Sequence, residues 1–181
     1  MKNVLLGCTG SVASIKIPEI LEKLKENSEI SVKLVVTEHS QHFLPPLESL
    51  GVDYLTDTHE WDCWKSRGDP VLHIELRKWA DICIVAPLDA NTLAKVANGQ
   101  ADNLLTCVLR AWDFTKPIVV APAMNTYMFE HPVTRPQLQT IQGWGYTVLE
   151  PQVKTLVCGD KGTGAMASVE TILESINSVL V

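Results

Sequence analysis

Two continuous apolar runs constrain this chain more than any other feature: Ile82-Cys83-Ile84-Val85-Ala86 and Ile118-Val119-Val120-Ala121, each followed by a proline, Pro87 and Pro122. A strand with one wet face alternates polar and apolar residues. These two do not alternate, so they predict strands covered on both faces, as in a parallel sheet between helical layers. Between them Leu93, Val96 and Ala97, then Leu104, Leu105, Val108 and Leu109, recur at helical spacing around the breaker Asn98-Gly99. The segment therefore reads as strand, helical crossover, strand.

The N-terminal part repeats that arrangement. Val4-Leu5-Leu6 leads through Gly7-Cys8-Thr9-Gly10-Ser11 into Ala13, Ile17, Ile20, Leu21 and Leu24, which share one helix face, and residues 31–37 form a strand rich in β-branched side chains. Such a βαβ unit crosses over right-handedly. Tyr146-Thr147-Val148-Leu149 reads as a last strand, and Val169, Ile172, Leu173, Ile176 and Leu180 define an amphipathic closing helix. The predicted fold is α/β: a doubly wound, Rossmann- or flavodoxin-like parallel sheet with helices on both faces, in a single domain over residues 1–181. At this length roughly 70% of the unfolded surface can be buried. Residues 45–69 and 151–166 do not fit the alternation, and they read as long functional loops.

The formal net charge of -6 comes with no basic run longer than Arg77-Lys78, which argues against a nucleic-acid or anionic-lipid partner. Small molecules or other protein chains are the expected partners. The first apolar run is too short for a signal segment, and no stretch is long enough to span a membrane. Five cysteines without CxxC spacing predict neither a disulfide framework nor a metal site. The expectation is reduced thiols in a cytoplasmic protein, mostly packed as small hydrophobes. Cys158 stands apart, because it lies in the glycine-rich stretch Val157-Cys158-Gly159-Asp160-Lys161-Gly162-Thr163-Gly164, which reads as a mobile flap.

Polar residues gather after the strands. Gly10-Ser11 sits where a strand turns into a helix, a place that offers N–H groups to a phosphate but also suits a plain tight turn. Asp89 and Asn91, after the strand ending at Pro87, are either helix caps or ligand contacts at the carboxyl edge of the sheet. Asn125, after Pro122, either donates to a substrate carboxylate or bonds its own backbone. Thr37 caps a helix or reaches the same ligand, and His73, just before the central strand, either suits proton transfer near neutral pH or is a structural residue.

Together the segments Gly10-Ser11-Val12, Asp69-Pro70-Val71-Leu72-His73-Ile74, Trp79-Ala80-Asp81, Ala86-Pro87-Leu88-Asp89-Ala90-Asn91-Thr92, Asp102-Asn103-Leu104-Leu105-Thr106, Pro122-Ala123-Met124-Asn125 and the Cys158 stretch resemble one family in order. It is the flavoprotein family of homo-oligomeric cysteine decarboxylases, and the likeness is greatest to its eukaryotic phosphopantothenoylcysteine decarboxylases. The resemblance implies bound FMN, held by Gly10, Ser11, Val12, Thr37, Phe43, Asp89, Ala90, Asn91 and Thr92. It implies His73 as the catalytic histidine, Asn125 as the grip on the substrate carboxylate, Met128 as its neighbour and Cys158 as proton donor. It further implies 4'-phosphopantothenoylcysteine as substrate, a homotrimer, and a single-domain enzyme without a fused synthetase. The alternatives are another enzyme of the fold, such as a decarboxylase acting on a peptide's C-terminal cysteine or a flavin prenyltransferase, and an FMN-loaded regulatory subunit that inhibits a phosphatase.

Overall fold

The computed structural model describes residues 1–155, 159 and 161–180. Strands β1 (Lys2–Cys8), β2 (Ile30–Val36), β3 (Asp53–Leu55), β4 (Ile82–Leu88), β5 (Ile118–Pro122) and β6 (Tyr146–Val148) form one six-stranded sheet in the order β3-β2-β1-β4-β5-β6. Every pairing in it is parallel. The edge strands β3 and β6 are the shortest, which limits the unpaired backbone the sheet exposes.

Successive residues of the central strands enter different cores, as a pleated strand requires. Val4, Leu6, Ile82, Ile84 and Val119 pack under α1 (Ile17–Lys25) and α8 (Val169–Leu180). Leu5, Cys83, Val85, Ile118 and Val120 pack under α3 (Leu72–Trp79), α4 (Ala90–Ala97), α5 (Leu104–Arg110) and α7 (Thr134–Gly143). All seven residues of β4 are buried, which is why that run shows no alternation. The doubly wound single domain expected from the sequence is therefore the fold.

Some boundaries differ from expectation, each for a local reason. The first helical segment is divided: a 3-10 helix over Val12–Lys16 precedes α1, because Pro18 has no N–H to donate and is tolerated only in an opening turn. Strand β4 does not stop at Pro87 but continues to Leu88. The register against β5 shifts between Val85 and Leu88, so the missing N–H of Pro87 falls at an irregularity.

The two stretches read as loops hold regular structure. Residues 45–69 contain a 3-10 helix (Leu47–Leu50), β3 and the short helix α2 (Asp57–Cys63), which buries none of its residues and so leaves no apolar periodicity in the sequence. Residues 151–166 contain an antiparallel hairpin of β7 (Gln152–Thr155) and β8 (Lys161–Ala165). Between β5 and β6 lie α6 (Thr126–Glu130) and α7. Among the described residues, no helix is long and apolar enough to cross a membrane.

Candidate active site

Strand order reverses between β1 and β4, and ligands of open α/β sheets bind outside the carboxyl ends of the strands at such a point. Buried hydroxyls tie these ends together. Thr9, which follows β1, donates from Oγ1 to the Pro87 carbonyl at 2.7 Å and accepts from the Asp89 N–H at 2.8 Å. The Ser14 hydroxyl donates to the Thr9 carbonyl at 2.7 Å, and Ser11 N–H does the same at 2.7 Å. Thr37, after β2, donates both its N–H (3.1 Å) and its hydroxyl (3.2 Å) to the Cys8 carbonyl, and Ser40 Oγ donates to the Thr37 carbonyl at 2.7 Å. Thr9, Ser14 and Ser40 are wholly buried, so this network fixes the turn after β1 from three sides.

Gly10 sits in that turn because nothing larger fits: a Cβ there would lie 2.8 Å from His39 Cβ and 3.2 Å from Asp89 Oδ2. Asp89 is the N-cap of α4, its Oδ1 accepting from Thr92 N–H at 2.7 Å. The cap reading of Asp89 thus holds, and its second oxygen faces Gly10. Ala90, Asn91 and buried Thr92 make the first turn of α4. Thr37 opens a 3-10 helix over Glu38–Phe43 without capping it through its side chain, and Phe43 at its end stands edge-on to His42 at 5.0 Å.

A cavity of about 520 Å³ opens beside this turn, on the α1 and α8 side of the sheet. Ser11 and Val12 form one wall and Asn125 another, with apolar Ala123 and Met166 between. Asn125 is the N-cap of α6, where its Oδ1 accepts from Tyr127 N–H at 2.9 Å. The local turn bond and a position on the cavity are therefore both realised. Strand β8 passes over this segment at backbone distance. Gly164 accepts from Met124 N–H at 2.9 Å, and a Cβ on Gly162 would come 2.5 Å from Thr126 Cγ2. Cys158 lies outside the described residues, between β7 and β8 in the sequence.

Of the described residues expected at the site, Ser11, Val12 and Asn125 line this cavity, whereas Gly10, Thr37, Phe43, Asp89, Ala90, Asn91, Thr92, Met128 and His73 do not. Met128, on α6, is about half exposed. His73 opens α3, which directly precedes the central strand β4, as expected, and packs on the opposite face of the sheet. Glu60 of α2 meets it twice: Oε2 accepts from His73 N–H at 3.0 Å, and Oε1 contacts His73 Nδ1 at 2.5 Å. Asp57, one turn earlier on α2, accepts from Leu104 N–H at the start of α5 at 2.8 Å. Two carboxylates of one short helix thus cap two neighbouring helices, where partial positive charge favours them. Among the described residues no group of His, Cys, Asp and Glu is arranged to hold a metal ion.

The sequence matches the Flavoprotein family over residues 1–181. The chain belongs to the flavoprotein family. Among similar flavoproteins, a phosphopantothenoylcysteine decarboxylase of Mus musculus is 52% identical over 177 residues, covering 98% of this chain and 86% of its own length. One from Arabidopsis thaliana is 50% identical over 174 residues, covering 96% and 82%. Solved structures agree. A cysteine-to-serine mutant of PPC decarboxylase complexed with pantothenoylaminoethenethiol aligns with a TM-score of 0.92 at 48% identity, covering 98% of this chain and 97% of that one. The FMN binding protein AtHal3 aligns with a TM-score of 0.90 at 49% identity, covering 98% and 95%.

Sequence reasoning missed part of this flavoprotein site. Thr9, Ser14 and Ser40 were detectable only as small hydroxyl residues following strands. Asp57 and Glu60 carried no signal, because α2 buries none of its residues and leaves no apolar periodicity.

Proposed function

We propose that this chain is a phosphopantothenoylcysteine decarboxylase, an FMN-dependent carboxy-lyase that converts N-[(R)-4'-phosphopantothenoyl]-L-cysteine to 4'-phosphopantetheine in coenzyme A biosynthesis. Likeness over nearly the whole chain supports this reading. The observation that carries it is the shared cavity, in which Ser11, Val12 and Asn125 line one space of about 520 Å³.

The residues present fit FMN. The Gly10 turn is too close to His39 and Asp89 for any side chain, so it presents bare backbone to a phosphate, while Val12, Ala123 and Met166 offer an apolar wall to a flat ring. Gly10, Ser11, Val12, Thr37, Phe43, Asp89, Ala90, Asn91 and Thr92 would hold it. When bound, FMN would supply the reversible two-electron sink that a plain cysteine carboxylate lacks. Asn125 binds the carboxylate through its NH2, with its Oδ1 committed to Tyr127 N–H. Met128, on α6 after the N-cap Asn125, is the neighbour of that group that the resemblance implies. Cys158 protonates the enethiolate left by loss of CO2. An aminoethenethiol, the ligand of the similar cysteine-to-serine structure, is a species that has lost CO2 and not yet been reduced, which supports this order.

His73 takes part from the opposite face of the sheet. The homotrimer that the resemblance implies lets His73 of one chain approach the cavity of another, and it accounts for a catalytic set divided between two faces. Mass photometry should then read about three times the 20.0 kDa chain mass.

The test incubates FMN-loaded protein with 4'-phosphopantothenoylcysteine and follows CO2 and product mass, with Cys158→Ser in parallel. Wild type should give 4'-phosphopantetheine, and the variant a decarboxylated product lacking two hydrogens. Flavin-loaded protein without turnover would instead favour the phosphatase-inhibiting regulatory subunit.

A further inference from the structure

Helix α2 looks unpromising by sequence, since it buries no residue, yet it is seated at both of its turns. A capping box starts it: His59 Nδ1 accepts from Thr56 N–H at 3.1 Å and lies 2.9 Å from the Thr56 hydroxyl. Asp57 binds the first N–H of α5 at 2.8 Å, and Glu60 binds α3 through His73. Glu60 is the more enclosed partner of that pair, its side chain 13% exposed against 24% for His73. Nothing so far requires that this carboxylate reach the imidazole as well as the backbone.

We infer that Glu60 is a positioning residue that fixes both the rotation and the tautomer of His73, an inference that rests on the reading of His73 as part of the reaction. The chemistry is restrictive. A carboxylate only accepts hydrogen bonds, so with Oε2 on the His73 N–H and Oε1 on Nδ1, the ring nitrogen facing Glu60 carries the proton. In the neutral ring Nε2, on the far side, is then an acceptor. One side chain grips the residue at two points, backbone and ring, which leaves the imidazole no rotation about its χ angles that keeps both bonds. Asp57 holds the same helix against α5, so the grip is anchored to the core rather than to a loop.

Glu60→Gln tests this because it keeps size and removes only the second acceptor. The amide oxygen takes the His73 N–H, and the amide NH2 faces Nδ1, which must become the acceptor. FMN-loaded, 15N-histidine-labelled wild type should show a His73 ring protonated at Nδ1, identified by its loss in His73→Gln. Glu60→Gln should shift that ring to the Nε2–H form. With 4'-phosphopantothenoylcysteine, kcat in Glu60→Gln should fall roughly 10- to 100-fold, with KM changed by no more than about twofold. Glu60→Asp, too short to span both contacts, should lose rate while keeping a carboxylate. Wild-type turnover and an unchanged ring signal in Glu60→Gln, beside an impaired His73→Gln, overturn the role of Glu60 alone. Normal turnover by His73→Gln removes the reading of His73 and this inference with it.

Discussion

The Thr9 hydroxyl joins two strands at the crevice by donating to Pro87 and accepting the Asp89 N–H, at 2.7 and 2.8 Å. Both partners lie at the carboxyl end of β4, so one buried side chain holds the N-cap of α4 against the Gly10 turn.

Thr9→Val should therefore loosen flavin binding more than its small change in shape implies. It strands a carbonyl and an N–H, each costing about 1–3 kcal/mol when buried without a partner. Release of FMN fluorescence on dilution measures the effect, with an expected loss of roughly tenfold in affinity for each 1.4 kcal/mol that falls on the bound state. Unchanged retention of flavin would mean that the turn is held without Thr9.

Gly164→Ala should lift the hairpin from the site. Gly164 has φ +142, and an added Cβ would overlap the Met124 carbonyl oxygen, which cannot give way without moving the turn that carries Asn125. Limited proteolysis should then cut the hairpin faster, and CO2 release should drop by at least about tenfold, in line with the sensitivity of catalysis to small misplacements. Equal turnover and equal protease resistance would show that β8 does not position this wall.

Lys116 closes the opposite end of α3. Its Nζ donates to the carbonyls of Arg77 (3.2 Å), Lys78 (3.2 Å) and Ala80 (2.7 Å), a cation placed at a helix C-terminus. Lys116→Met keeps the aliphatic stem and loses all three bonds, so urea denaturation should show a loss of about 1–3 kcal/mol. Because His73 sits at the other end of α3, turnover per folded molecule should stay near wild type. A large fall in kcat would instead tie this cap to the site.

Burial pushes the thiol of Cys8 up to about 11 and that of Cys83 up to about 12, and it raises the Tyr146 hydroxyl as well. Between the ordinary thiol value of 9.0 and those raised values, the unfolded chain loses protons that the folded one keeps. The stability these groups contribute is thus complete below pH 9 and declines as pH rises toward 12. Denaturation curves at pH 8 and above pH 10 should show the decline, and Cys83→Ala should flatten it. At pH 8, alkylation followed by mass analysis should mark exposed Cys63 before Cys8 or Cys83. Equal slopes in Cys83→Ala and wild type would exclude the thiol as a source.

The sequence by itself determined five of the six strands of the sheet, the helical layers and the crevice. Runs such as 82–86 record burial on both faces, and Leu93, Val96 and Leu105 record a helix packed on one side; burial writes periodicity into a chain. Gly10, Asp89 and Asn125 could be singled out as candidates because strand ends in such folds are where ligands meet the backbone. What only the tertiary structure decided is held by polar contacts between residues far apart in the chain. Thr9 with Asp89, Asp57 with Leu104 and Glu60 with His73 leave no periodic trace, since a hydrogen bond depends on two positions rather than on a repeating face. The same limit hid α2, which buries nothing, and the division of His73 and Asn125 between opposite faces, which follows from crossover direction and not from either residue's neighbours.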